Sequence, residues 1–127
     1  MNPTTAYLLV ALGSMIGGTS RYALASIIDT RYVHHMPWGT IVVNITGCFL
    51  MGLLGTLTES DKLRLFLLTG IMGGYTTFSA FSFQTLKLYE NGRPEGAAAN
   101  VAISVACCLI SVWLGATLAR ALTPGRT

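Results

Sequence analysis

The sequence predicts an all-α membrane protein of four transmembrane helices. Three observations predict it. Charged residues make up only 10% of the chain and hydrophobic residues 52%, whereas a soluble domain carries about 25% charged residues. Mean hydropathy is +0.59. Four runs, near residues 5–28, 39–58, 63–89 and 96–122, reach the roughly 20 apolar residues that a hydrocarbon core asks of a helix. Such a chain cannot cover itself with charge, so lipid is its solvent. Connections are short, and residues 1–127 are expected to form a single domain without repeats.

In the first span, Gly13 and Gly17 have the small-residue spacing that lets membrane helices approach closely. No Lys or Arg precedes this run, which is unlike a secretory leader, so direct membrane insertion is expected. Arg21 lies inside the run. A guanidinium there is costly, and it either snorkels to the interface or anchors structure at a vestibule.

Pro37 precedes the second span, and Trp38 suits an interfacial depth. Thr40, Asn44 and Gly47 share one face at i, i+4 and i+7. The Asn44 carboxamide brings two N–H donors and one acceptor. It serves either as an interhelical hydrogen bond or as a donor aimed into an ion pathway.

The third span begins as an ordinary helix over residues 63–68. It then meets Thr69, Gly70, Gly73, Gly74, Thr76 and Thr77. Each glycine costs a helix ~1 kcal/mol relative to alanine. The cluster predicts a broken third helix near mid-membrane. Irregular backbone at that depth is tolerated only where protein buries it or a watery cavity receives it. Carbonyls freed there suit a hard cation such as sodium. Beyond the break, Phe78 and Phe81 lie at i and i+3, a spacing that by itself indicates packing, with Ser79 and Ser82 on an adjacent strip. The last span carries Asn100, Ser104 and Cys108 at i, i+4 and i+8. Such a stripe faces protein or water, as polar glue or as a pathway.

With four spans both termini share a side. Lys62, Arg64, Arg120 and Arg126 then oppose Arg21, Arg31, Lys87 and Arg93. The positive-inside rule needs an excess, and here it has none. Either other features set the orientation, or the chain inserts both ways and opposed copies pair about a two-fold axis in the membrane plane. A chain this small is expected to be oligomeric in either case.

Asp29, Glu59, Asp61, Glu90 and Glu95 all fall in loops or at span ends. A small multidrug-type proton-coupled antiporter, the alternative reading for four spans of this length, needs an intramembrane carboxylate. A non-transporting assembly subunit is a third reading. An enzyme is not expected: His34 and His35 are neighbours in a loop, and nothing pairs a nucleophile with a base. Cys48, Cys107 and Cys108 lack the spacing of a zinc site or a CxxC pair and read as small apolar residues. What remains in the spans is donors, and donors suit an anion.

These residues resemble the CrcB/Fluc family of fluoride channels. The matching elements are Gly17-xxx-Arg21, Gly39-Thr40-xxx-Asn44 and Gly70-xx-Gly73-Gly74-Tyr75-Thr76-Thr77-Phe78-Ser79-Ala80-Phe81-Ser82. The resemblance covers almost the whole chain, and the third element is the specific one. It implies a passive channel exporting fluoride across the bacterial inner membrane. It further implies an antiparallel, dual-topology homodimer with two separate pores at the subunit interface. By this resemblance Asn44, Phe78 and Phe81 face the pore, with Thr40 and Ser82 beside them. Ser104 and Cys108 match pore-lining positions of the last helix, often a larger polar residue and a serine respectively. Arg21 matches an arginine near a vestibule. Gly73 and Thr76 match positions whose carbonyls hold a central structural sodium ion. Ala80 stands where threonine is frequent.

Overall fold

The computed structural model describes residues 1–31 and 36–125. The loop reading of His34 and His35 and the side assigned to Arg126 lie outside the described residues. Those that are described form helices α1 (Pro3–Arg31), α2 (Trp38–Leu57), α3 (Asp61–Arg64), a π-helical stretch Leu65–Met72, α4 (Gly73–Tyr75), α5 (Phe78–Glu90) and α6 (Pro94–Leu122). Four segments are long and apolar enough to cross a membrane: Pro3–Arg31, Trp38–Leu57, Asp61–Glu90 and Pro94–Leu122. Each lies within a few residues of the run expected from hydropathy.

The ends of the segments follow local chemistry. Pro94 opens α6, where its missing N–H forfeits no helical bond, and Glu95 complements the positive end of the helix. Asp29, near the end of α1, reaches across the connection and accepts the Gly39 N–H at 2.9 Å. That amide belongs to the first turn of α2, which has no intrahelical acceptor for it. At the other end of α2, the Arg64 guanidinium donates to the carbonyls of Gly55 and Thr58, both at 3.0 Å.

Packing is set by glycines. A methyl on Gly13 would sit 2.8 Å from the Gly70 Cα, and one on Gly17 would overlap the Ile71 carbonyl. This binds α1 to the first half of the third span. On the other side, Gly52 lies against the Val112 carbonyl and Gly115 against the Phe49 carbonyl. The parallel pair α2 and α6 thus meets backbone to backbone, and Ser111 Oγ adds a bond to the Ile45 carbonyl at 2.8 Å. Between these seams sits a small core of Val43, Met72 and Tyr75.

One expectation is corrected. The ordinary helix expected over residues 63–68 holds only through Arg64, because Leu65–Met72 is wound as a π-helix. Apolar composition does not distinguish the two windings, so the sequence carried no mark of it. The stretch is where Gly70 faces Gly13, and π segments occur where tertiary contacts reset a helix's register.

Candidate functional site

The third span leaves helical geometry after Tyr75. Thr76 (φ −82°, ψ 154°) and Thr77 (φ −149°, ψ 115°) are both extended, and α5 starts at Phe78. The reason lies in where the local amides go. In a continuous helix the Thr77 N–H would bond to the Gly73 carbonyl and the Ala80 N–H to the Thr76 carbonyl. Instead, the Thr77 N–H donates to Asn44 Oδ1 at 2.8 Å. The Ala80 N–H donates to Thr77 Oγ1 at 3.2 Å, which makes Thr77 the N-cap of α5. The carbonyls of Gly73 and Thr76 therefore lose their helical donors.

Asn44 holds this junction with both ends of its carboxamide. Its Oδ1 accepts from the Thr77 N–H, and its Nδ2 donates to the Thr77 carbonyl at 3.0 Å. The two bonds fix which end is oxygen. One of the two N–H groups is then still uncommitted. Two further contacts frame the junction from outside. Arg21 Nε donates to the Gly74 carbonyl at 3.2 Å, and the Tyr75 hydroxyl meets Thr46 Oγ1 at 2.9 Å.

Beside the junction lies a cleft of about 290 Å³. Asn44 and Cys48 line it from α2, Thr76 and Thr77 from the junction, and Phe78 and Phe81 from α5. Ser104, Val105, Cys108 and Leu109 close it from α6. The phenyl rings are 5.3 Å apart between centroids and tilted by 50°. They differ in surroundings: Phe81 is 8% exposed and Phe78 77%. Deeper in α6, buried Asn100 donates to Thr85 Oγ1 at 2.8 Å and accepts from Ser104 Oγ at 3.3 Å.

The structure thus brings together Asn44, Phe78, Phe81, Thr76, Ser104 and Cys108. The others lie elsewhere. Thr40 is buried one turn before Asn44 and outside the cleft lining. Ser82 is exposed and gives its hydroxyl proton to the Phe78 carbonyl at 2.8 Å. Arg21 braces Gly74 rather than the cleft. Gly73 is exposed, and a methyl there would meet only the Leu68 carbonyl at 3.7 Å. Sequence reasoning missed Cys48 and Thr77 as lining residues. Cys48 follows Asn44 at i+4, a spacing that puts both on one face.

The donor set at the junction fits a hard cation of low charge. It offers neutral carbonyl oxygens without a carboxylate, and those of Gly73 and Thr76 have been freed of helical amides.

A family model described as "CrcB-like protein, Camphor Resistance (CrcB)" matches residues 8–116. The chain belongs to the CrcB-like family. It is a multi-pass membrane protein by its four spans and by this membership. Curated relatives of this CrcB-like chain carry the name "Fluoride-specific ion channel FluC". The one from Paramagnetospirillum magneticum is 48% identical over 116 residues, covering 86% of this chain and 91% of the relative. That of Rhodospirillum rubrum is 47% identical over 116 residues, covering 86% and 90%. That of Geobacter sulfurreducens is 43% identical over 123 residues, covering 93% and 99%.

Proposed function

We propose that this CrcB-like chain is a passive, fluoride-selective channel that exports fluoride across the cell's inner membrane, a transporter and not an enzyme. The observation that carries the reading is the cleft, in which the Asn44 carboxamide, two phenyl rings and an α6 hydroxyl converge. The name shared by its relatives supports it. All five acidic residues lie at helix ends or between helices, which leaves a proton-coupled antiporter without a carrier.

Fluoride is small, hard and strongly hydrated, so a pathway must replace its water with close donors. The remaining Asn44 N–H supplies one, and the Ser104 hydroxyl a second when it turns away from Asn100 Oδ1, with the weaker Cys108 thiol further along. A phenyl ring is positive at its edge and negative on its face. Phe78 and Phe81 therefore attract the ion edge-on, and weak sites in series let it leave again. Larger halides are excluded by width and by donor geometry. Thr40 and Ser82 extend the polar track beyond the cleft when their hydroxyls turn, and Arg21 adds positive charge near a vestibule.

The conducting unit is an antiparallel homodimer of chains inserted in both orientations, with residues 1–127 acting as one domain. The exposure of Phe78 and Gly73 supports a second copy covering them. At its centre the third spans, broken at Thr76–Thr77, turn the Gly73 and Thr76 carbonyls of both copies toward a structural sodium ion. When bound, that ion supplies fixed positive charge and holds the breaks in place.

Purified protein in liposomes should release fluoride once a counter-ion path is supplied. Release that requires a proton gradient, or equal passage of chloride, overturns the reading. C-terminal tags probed from both sides of the membrane test dual topology separately.

A further inference from the structure

The cleft wall holds a pair of thiols whose pairing an anion pathway does not require. Cys48 on α2 and Cys108 on α6 are neighbours across the seam between the two helices. Both are free thiols, half-buried, and both line the cleft. The pairing is enforced by the backbone. The parallel pair α2 and α6 is clamped on either side of Cys48, and within a turn of Cys108, by Ser111 Oγ on the Ile45 carbonyl and by Gly52 against the Val112 carbonyl. Cys107 is outside the lining, since a neighbouring residue is turned by about 100° around a helix.

We infer that Cys48 and Cys108 form a two-thiol site for a soft divalent cation of linear coordination, typified by mercuric ion, and that its occupancy closes the cleft. Sulfur donors select soft metals. Ligand number and charge narrow the choice further. Zinc seeks four ligands, and among the described residues no group of three or more His, Cys, Asp or Glu side chains is placed to hold a metal. A monovalent cation on two thiolates would leave a net negative charge in an apolar wall, which is costly to bury. A divalent one leaves none. Two S–H bonds break, two S–Hg bonds form and two protons leave to water, so the bridged site is neutral. The bridge puts a heavy atom across the wall that faces Asn44 and the phenyl rings. Binding rests on the thiol geometry alone, whereas the block rests on the fluoride-channel reading.

The test uses the full chain in two measurements. Intact-mass spectrometry follows mercuric chloride treatment and a wash with excess monothiol, which strips singly held mercury and leaves a chelate. A single mercury should be retained by the wild type and by Cys107→Ala. It should be lost from Cys48→Ala, Cys48→Ser and Cys108→Ala, each first checked for folding by size exclusion. Retention in those three variants, or none in the wild type, overturns the site. Fluoride efflux from liposomes, normalised to each variant's untreated rate, should be lost on treatment of wild type and Cys107→Ala and return with a dithiol. Unchanged efflux from mercury-loaded wild type overturns the block. If untreated wild type passes no fluoride, the channel reading fails while the mass result still decides the site.

Discussion

Replacing Asn44 by aspartate separates the structural and conducting roles of one side chain. The carboxylate keeps the acceptor for the Thr77 N–H, now at 2.8 Å, and loses the donor that reaches the Thr77 carbonyl at 3.0 Å. The lost bond costs stability about 0.5–1.5 kcal/mol, which a folded helical protein should survive. The charge acts more strongly. A carboxylate about 4 Å from a passing anion repels it by ~4 kcal/mol at an effective dielectric of 20. At 1.36 kcal/mol per decade that slows passage about a thousandfold. The pH dependence has a definite sign. Acidification protonates the introduced carboxyl and removes its charge. Its protonated form is neutral and regains an O–H donor for Thr77.

The assay is fluoride efflux from liposomes across a pH series, with protein-free liposomes correcting for hydrogen fluoride crossing the lipid itself. N44D should be nearly silent at neutral pH and recover on acidification, while wild type should not follow that course. Wild-type efflux by N44D at neutral pH would refute the placement of Asn44 beside the permeating ion. Loss of the folded species on size exclusion would instead show that the Thr77 bond is worth more than one ordinary hydrogen bond.

The remaining expectations concern the rings and the frame around them. Phe78→Ile and Phe81→Ile should both slow fluoride efflux. Only the second should lower thermal stability in detergent, by about 1–2 kcal/mol, since Phe81 is 8% exposed and Phe78 77%. Gly52→Ala and Gly115→Ala each press a methyl against the facing helix backbone and should destabilise by about 1–3 kcal/mol, read from thermal unfolding in detergent. Asp29→Ala removes the acceptor for the Gly39 N–H and should cost about 0.5–2 kcal/mol by the same measurement, with Asp29→Asn close to wild type.

The four spans were legible because hydropathy is a property of single segments: each needs only its own length and composition to be recognised. The converging residues Asn44, Phe78, Phe81, Ser104 and Cys108 were named from a motif resemblance and the face periodicity of helices. What periodicity could not supply was pairing between helices. Asn44 left two readings open because its partner sits 33 residues away. The structure answers with one N–H and the carbonyl on Thr77, leaving a second N–H over. Cys48 and Cys108 lie 60 positions apart in number, so no spacing rule connects them. Asp29 looked like a loop charge because the amide it caps belongs to the next helix. The π winding of Leu65–Met72 was invisible for another reason: it reflects how the segment meets α1, while its residues would suit either winding.

The junction at Thr76 and Thr77 is held by side chains from two helices, and this bears on how the site works. Arg21 reaches the Gly74 carbonyl from α1, Thr46 reaches the Tyr75 hydroxyl from α2, and Asn44 takes both backbone groups of Thr77. Extended backbone inside a membrane segment has no water to satisfy it, so the bonds to the Gly74 carbonyl and from the Thr77 N–H stand in for ones that a helix would have made internally, while the Tyr75–Thr46 pair ties side chains together. They also fix the start of α5, and with it the direction in which Phe78 leaves the chain. A ring that must present its edge to an ion gains little from mobility, because its attraction depends on angle. Polar groups distant from the cleft thus act on the pathway by orientation. Arg21 needs no contact with the permeating ion to matter, since releasing Gly74 loosens the frame from which both phenyl rings project.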